Sequence, residues 1–160
     1  MKVSIRKAKR SDSRDFVKLV VALAKFEHLA PPTSSAKRRL ILDTFQKKRL
    51  NLFLALVDGR AVGYALYFFT YSSFLAMPSL YLEDLFVLER FRSVGIGKKL
   101  FVKCIEEAKT QDCGRMEWSV LTWNRKAIGF YEKMGARRLK EWHYYRLDRK
   151  GISKAVPNKL

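Results

Sequence analysis

The stretch Leu80-Tyr81-Leu82-Glu83-Asp84-Leu85-Phe86-Val87-Leu88-Glu89-Arg90-Phe91-Arg92-Ser93-Val94-Gly95-Ile96-Gly97-Lys98-Lys99 joins three kinds of local structure. An apolar strand with an embedded acidic pair leads into a short basic loop carrying two glycines. Ile96, Leu100, Cys104 and Ala108 then recur at helical spacing, so the loop opens a helix. A strand, a Gly-rich turn and a helix N-terminus together make a place where backbone N–H groups gather around a phosphate. The carboxylates of Glu83 and Asp84, just upstream, are placed to serve as base or as substrate anchor.

Outward from this stretch, helices alternate with a run of strands. Val3–Arg6 reads as a first strand, and Ser11 or Asp12 can cap a helix with Phe16, Leu19, Val20, Leu23 and Phe26 on one stripe. Pro31-Pro32 ends it, and a second helix starts near Ser34 or Ser35. Leu50–Val57 and Ala61–Tyr71 form a hairpin around Asp58-Gly59, and a loose segment at Ser72–Pro78 precedes the strand Leu80–Leu88. The helix after the glycines runs to about Asp112, followed by a strand at Met116–Leu121. Asn124 caps a short helix that Gly135 ends, and two last strands are expected near Arg137–Lys140 and Trp142–Leu147. This order predicts an α/β (α+β) sandwich around one mixed, mostly antiparallel sheet flanked by helices.

Size and composition narrow the class. The 160 residues suit one domain with a real core, here read as residues 1–148 with a loosely ordered basic tail at 149–160. No apolar run is long enough for a membrane-spanning helix, and no signal peptide is visible, so a soluble cytoplasmic protein without membrane association is expected. Cys104 and Cys113 are too few for a disulfide scaffold, and neither they nor His28 and His143 show metal-ligand spacing, so no metal site is expected. With 33 Lys+Arg against 15 Asp+Glu, the net charge of +18 favours anionic partners, including nucleic acid and phosphorylated cofactors. The basic residues are spread along the chain without interleaved aromatics, which favours a general surface trait over a base-stacking platform.

Three glycine motifs compete at Arg92–Gly97. A P-loop needs Ser or Thr after Gly97-Lys98 and a glycine at position 92, and neither is present. A dinucleotide fingerprint needs a third glycine where Leu100 stands. What remains is R-x-x-G-x-G between a strand and a helix, which resembles the acetyl-CoA pyrophosphate loop of the GNAT superfamily of N-acetyltransferases. The segments Tyr64–Tyr71, Leu80–Val87, Trp123-Asn124, Phe130–Ala136 and Leu23–Glu27 resemble, in order, the diamine (spermidine/spermine) acetyltransferase branch. Glu141–Tyr145 matches only loosely. The resemblance implies the GNAT acyl-CoA N-acyltransferase fold, acetyl-CoA as acetyl donor, and a homodimer.

It also implies roles. Arg92, Ser93, Val94, Gly95, Ile96, Gly97 and Lys98 would cradle the pyrophosphate. Gly95 and Gly97 would let the backbone approach closely where a Cβ would block it. Leu85, Phe86 and Val87 sit where the strand main chain pairs with pantetheine amides, although core side chains explain them as well. Asn124, Lys126, Ala127 and Tyr131 would complete the cofactor site. Asn124 is also a plain helix cap, and Phe130-Tyr131 also a plain core pair. Tyr131 takes the place of the acid that returns a proton to the departing CoA thiolate, a phenol near 10 facing a thiol near 8.5.

An amine substrate arrives protonated and must lose a proton before attack. On a regular strand Glu83 shares a face with Leu85 and Val87 and Asp84 faces the other way, making Glu83 the better ammonium ligand and proton relay. Asp84 stays open between substrate binding and a bond to backbone. Phe26 and Glu27 are candidates for a second amine anchor, and Glu117, Trp118 and Ser119 for a pocket wall. The expected reaction is acetyl transfer to a small primary amine, such as a polyamine, diamine or lysine-like compound, in a ternary complex. Acetylation of a protein lysine or N-terminus, and an inactive nucleic-acid-binding module, are the alternatives.

Overall fold

The computed structural model describes residues 2–156. They form two compact units, divided between Ser119 and Val120.

The first unit is a five-stranded sheet in sequential order, made of β1 (Val3–Lys7), β2 (Asn51–Val57), β3 (Arg60–Ser72), β4 (Met77–Val87) and β5 (Arg115–Glu117). The first four pair antiparallel, and β5 runs parallel to β4. The helix α1 (Ser13–Phe26) buries Phe16 and Leu19 against Leu52, Leu54, Tyr64, Leu66 and Phe86. That stripe forms because apolar residues at helical spacing meet the inward positions of alternating strands. Losing a ring such as Phe16, fully buried and edge-on to Tyr64 at 5.4 Å, would cost about 3–5 kcal/mol. The helix α3 (Ile96–Thr110) buries Ile96, Leu100, Cys104 and Ala108, as the spacing predicts. It covers the opposite face, where Cys104 and Glu107 lie beside Tyr67. The remaining helix of this unit, α2 (Ser34–Phe45), starts from Thr33, whose hydroxyl accepts from the Ala36 N–H at 3.2 Å.

Local features differ from the sequence reading where tertiary partners decide. Asp12 precedes α1 but does not cap it: its carboxylate takes both Arg6 Nη atoms, at 2.7 and 2.9 Å, and the Lys9 N–H at 2.7 Å. A strong cation within reach outcompetes a backbone donor. The segment read as loose, Ser72–Pro78, narrows to a four-residue turn at 73–76, because β3 and β4 stay paired out to Ser72↔Met77.

The second correction concerns β4 itself. Tyr67 pairs with Leu82 and Leu66 with Asp84, so β4 carries one residue more than β3 and Glu83 has no partner in the register. This bulge breaks the regular alternation that placed Glu83 and Asp84 on opposite faces.

In the second unit, α4 (Arg125–Lys133) is capped as expected by Asn124, whose Oδ1 accepts from the Ala127 N–H at 3.2 Å, and Gly135 follows at φ 88°. The strands expected at Arg137–Lys140 and Trp142–Leu147 do not form among the described residues, and β5 stops at Glu117 instead of reaching Leu121. A strand needs a ladder partner, and none pairs with these segments among the described residues. The expected loose tail instead starts with α5 (Arg149–Ala155), nucleated by Asp148 Oδ1 accepting from the Gly151 N–H at 2.7 Å. Residues 157–160 of that tail lie outside the described residues.

Candidate active site

Two features of the first unit meet on β4. The first is acidic. Asp84, opposite Leu66, accepts the Tyr64 hydroxyl at 3.0 Å through Oδ2. Burial, reinforced by Glu83 and Glu27, pushes the Asp84 carboxyl up to about 6, against the lowering effect of the Tyr64 bond. Burial also raises Glu27, the residue that closes the C-terminus of α1. Tyr64 is fully buried, and burial followed by the Asp84 charge drives its phenol well above the ordinary range. Both Glu27 and Glu83 act on the same phenol. The bulge and the end of α1 thus bring three carboxylates into one electrostatic neighbourhood.

No Lys or Arg pairs with Glu27, Glu83 or Asp84 among the described residues, although the chain holds 33 of them. Nor do any three His, Cys, Asp or Glu side chains among those residues converge closely enough to hold a metal ion.

The second feature is the loop after β4. Beyond Tyr81, the edge of β4 away from β3 has no strand partner among the described residues, since β5 pairs only with Ser79–Tyr81. That edge includes Leu85, Phe86 and Val87, of which Phe86 and Val87 have buried side chains. The Arg92 Nε–H donates to the Val87 carbonyl at 2.7 Å, and its guanidinium lies over the rings of Phe26 at 4.3 Å and Phe86 at 5.4 Å. Arg92 is therefore a strut between strand, loop and α1. Ser93 and Gly95 both take positive φ, 65° and 85°, the kind of backbone path that gathers N–H groups into an anion-binding concavity.

The first backbone bond of α3 runs from the Lys99 N–H to the Gly95 carbonyl, so the N–H groups of Ile96, Gly97 and Lys98 precede the ladder. No acidic residue occupies this first turn, and Lys98 adds positive charge to the dipole's positive end. A Cβ built on Gly97 meets no atom within 4 Å, and its φ is not positive, so nothing inside the protein requires glycine there. Open space above Gly95 and Gly97 fits a group that approaches the backbone from outside, such as a pyrophosphate.

The other expected site residues are placed less tellingly. The Glu117 carboxylate is taken by Arg115 at 3.2 Å, Trp118 lies edge-on to Phe101 at 5.2 Å, and Ser119 is exposed. In the second unit, Asn124 caps α4 with the N–H of Ala127, Lys126 is exposed, and Tyr131 is half-buried with its ring 5.2 Å from Phe130. Sequence reasoning missed Tyr64 as a site residue. The only available signal was general: a phenol in a core strand needs a hydrogen-bond partner, and Asp84 lies too far along the chain for any local pattern to name it.

Comparison with known proteins agrees with this geometry. Residues 19–136 match the family described as Acetyltransferase (GNAT) family. The chain is 33% identical over 160 residues to a thialysine N-epsilon-acetyltransferase of Sus scrofa, covering 91% of this chain and 92% of that protein. It is 45% identical over 90 residues to an L-ornithine N5-acetyltransferase of Arabidopsis thaliana, covering 56% of this chain and 40% of that one. Among solved structures, an integron cassette protein from V. cholerae superposes with a TM-score of 0.82 at 24% identity, over 97% of this chain and 98% of the other.

Proposed function

The chain belongs to the acetyltransferase (GNAT) family, and from that premise we propose that it transfers an acetyl group from acetyl-CoA to the primary amine of a small molecule, in a ternary complex. The observation that carries this reading is the carboxylate trio of Glu27, Glu83 and Asp84, left without a cation in a chain rich in cations. An alkylammonium is the missing charge. The relatives named for thialysine and ornithine act on amines of amino-acid size, and a local cluster of carboxylates in a basic protein favours such a compact cation over a long polycation. Screening over about 8 Å at physiological salt confines the surface repulsion to the approach.

Acetyl-CoA, when bound, supplies an acetyl thioester whose carbonyl carbon is open to a neutral amine. Arg92 to Lys98 would hold its pyrophosphate with the free N–H groups of Ile96, Gly97 and Lys98, and the unpaired edge of β4 at Leu85 to Val87 would accept its pantetheine amides. Asn124, Lys126 and Ala127 are assigned to the cofactor from the family resemblance. Asp84 and Glu27 anchor the ammonium, with Phe26 beside them and Glu117, Trp118 and Ser119 assigned to the pocket wall. Glu83, exposed at the bulge, takes the ammonium proton through water, leaving the lone pair free to form the C–N bond. Tyr131, assigned from the same resemblance, would return a proton to the CoA sulfur as the C–S bond breaks. Assembly as a homodimer carries over from the same resemblance.

The test is a panel of thialysine, lysine, ornithine, putrescine, spermidine and an N-terminal peptide with acetyl-CoA, read by mass of the product. Acetylated small amine is the expected result. Acetylation of the peptide alone would replace the small-molecule reading with protein acetylation.

A further inference from the structure

We propose that Tyr64 is a positioning residue for the acceptor amine: its phenol, 3.0 Å from Asp84 Oδ2, fixes that carboxylate so that the other oxygen receives the incoming ammonium. The inference rests on the amine-transfer reading above and extends it to a residue that never meets the substrate. Tyr64 is fully buried and packed between Phe16 at 5.4 Å and Phe86 at 6.3 Å, so its hydroxyl has one fixed direction. The bulge at Glu83 brings Asp84 opposite Leu66, beside that hydroxyl. The second oxygen of Asp84 receives no hydrogen bond from any described residue.

Other polar groups around Asp84 make this bond matter. Glu83 on β4 and Glu27 on α1 both oppose its charge, while Arg92, over Phe26 and Phe86, spends its Nε–H on Val87. Tyr64 is then the protein's one hydrogen-bond donor to this carboxylate among the described residues. A donor to the ionised form favours it, and at neutral pH it keeps Asp84 charged and fixed in direction until an ammonium arrives.

The test is Tyr64→Phe, which removes one oxygen and keeps the ring. The KM for the amine should rise about tenfold, and the acid limb of kcat/KM for the amine should move upward by about one pH unit. The Kd for acetyl-CoA, measured by calorimetry, should stay unchanged. In an Asp84→Asn background the same substitution should have no further effect on KM, because its action passes through Asp84. An unmoved acid limb, an additive effect in the double variant, or loss of the folded state in Tyr64→Phe would each overturn the assignment. If no amine is acetylated, the reading of the reaction fails by itself. The Asp84 carboxyl titration followed by NMR in both forms then decides Tyr64 separately: an upward shift in Tyr64→Phe supports the coupling, and coincident curves end it.

Discussion

Arg92 donates its Nε–H to the carbonyl of Val87 at 2.7 Å while its guanidinium lies 4.3 Å over the ring of Phe26. One side chain thereby closes the last residue of β4 onto the loop that follows and braces both against α1. Arginine suits this because a planar cation can stack on one face and donate in its own plane, which an ammonium cannot. Arg92→Lys keeps the charge but loses both contacts. It should lower stability by roughly 1–2 kcal/mol in urea unfolding and weaken acetyl-CoA binding by calorimetry. An unchanged Kd would mean that charge alone matters at this position.

Gly97 offers a cleaner separation of fold from ligand. Alanine there meets no protein atom and improves a helix, so Gly97→Ala should stabilise the protein by roughly 0.5–1 kcal/mol. The same methyl would stand where the pyrophosphate approaches, and acetyl-CoA affinity should fall by about tenfold or more. Thermal melts with and without acetyl-CoA measure both effects. A variant as responsive to acetyl-CoA as the wild type would place the pyrophosphate elsewhere.

Asp84 should cost the fold stability at neutral pH. Its folded carboxyl titrates at about 6, above the ordinary 3.8, so the folded state disfavours its charge. The stability it contributes is fully present below about pH 3.8 and is lost as pH rises through 6. Asp84→Asn, which can still accept the Tyr64 hydroxyl, should be more stable than the wild type at pH 7.5 by roughly 1–3 kcal/mol. That gain should vanish near pH 4, while amine KM suffers throughout. Urea midpoints at the two pH values check it, and a constant difference would assign the effect to packing.

Tyr131→Phe should lower kcat by about 10²-fold or more with acetyl-CoA affinity nearly unchanged. The ring contact with Phe130 survives the substitution. Turnover equal to the wild type would remove Tyr131 from the chemistry.

Glu83→Gln addresses the base. Glu83 is exposed at a bulge and holds no partner in the strand register, so its loss should leave the melting temperature within about 1 °C. The kcat/KM for the amine should drop at neutral pH and recover toward pH 10, where free amine is already abundant. Absence of that recovery would argue against proton removal at Glu83.

Much of this was legible in the chain because it depends on local chemistry. Apolar periodicity placed α1, α3 and the strands β1 to β4, and residue identity at Arg92–Gly97 excluded two phosphate motifs and left the third. Asn124 was readable as a cap because a cap is set by residues three apart. The bulge at Glu83 was not, since it exists only relative to β3, and it undid the argument that separated the two carboxylates. The Tyr64–Asp84 bond was invisible for the same reason: two side chains twenty positions apart in sequence meet only once the strands are in register. The strands expected between Arg137 and Leu147 find no ladder partner among the described residues. Sequence by itself determined the family, the helix start and the acidic pair, all consequences of residue type and short spacing. Only the tertiary structure decided which carboxylate is held by Tyr64 and why Arg92 faces inward, because burial and partners belong to the packed sheet and not to the chain.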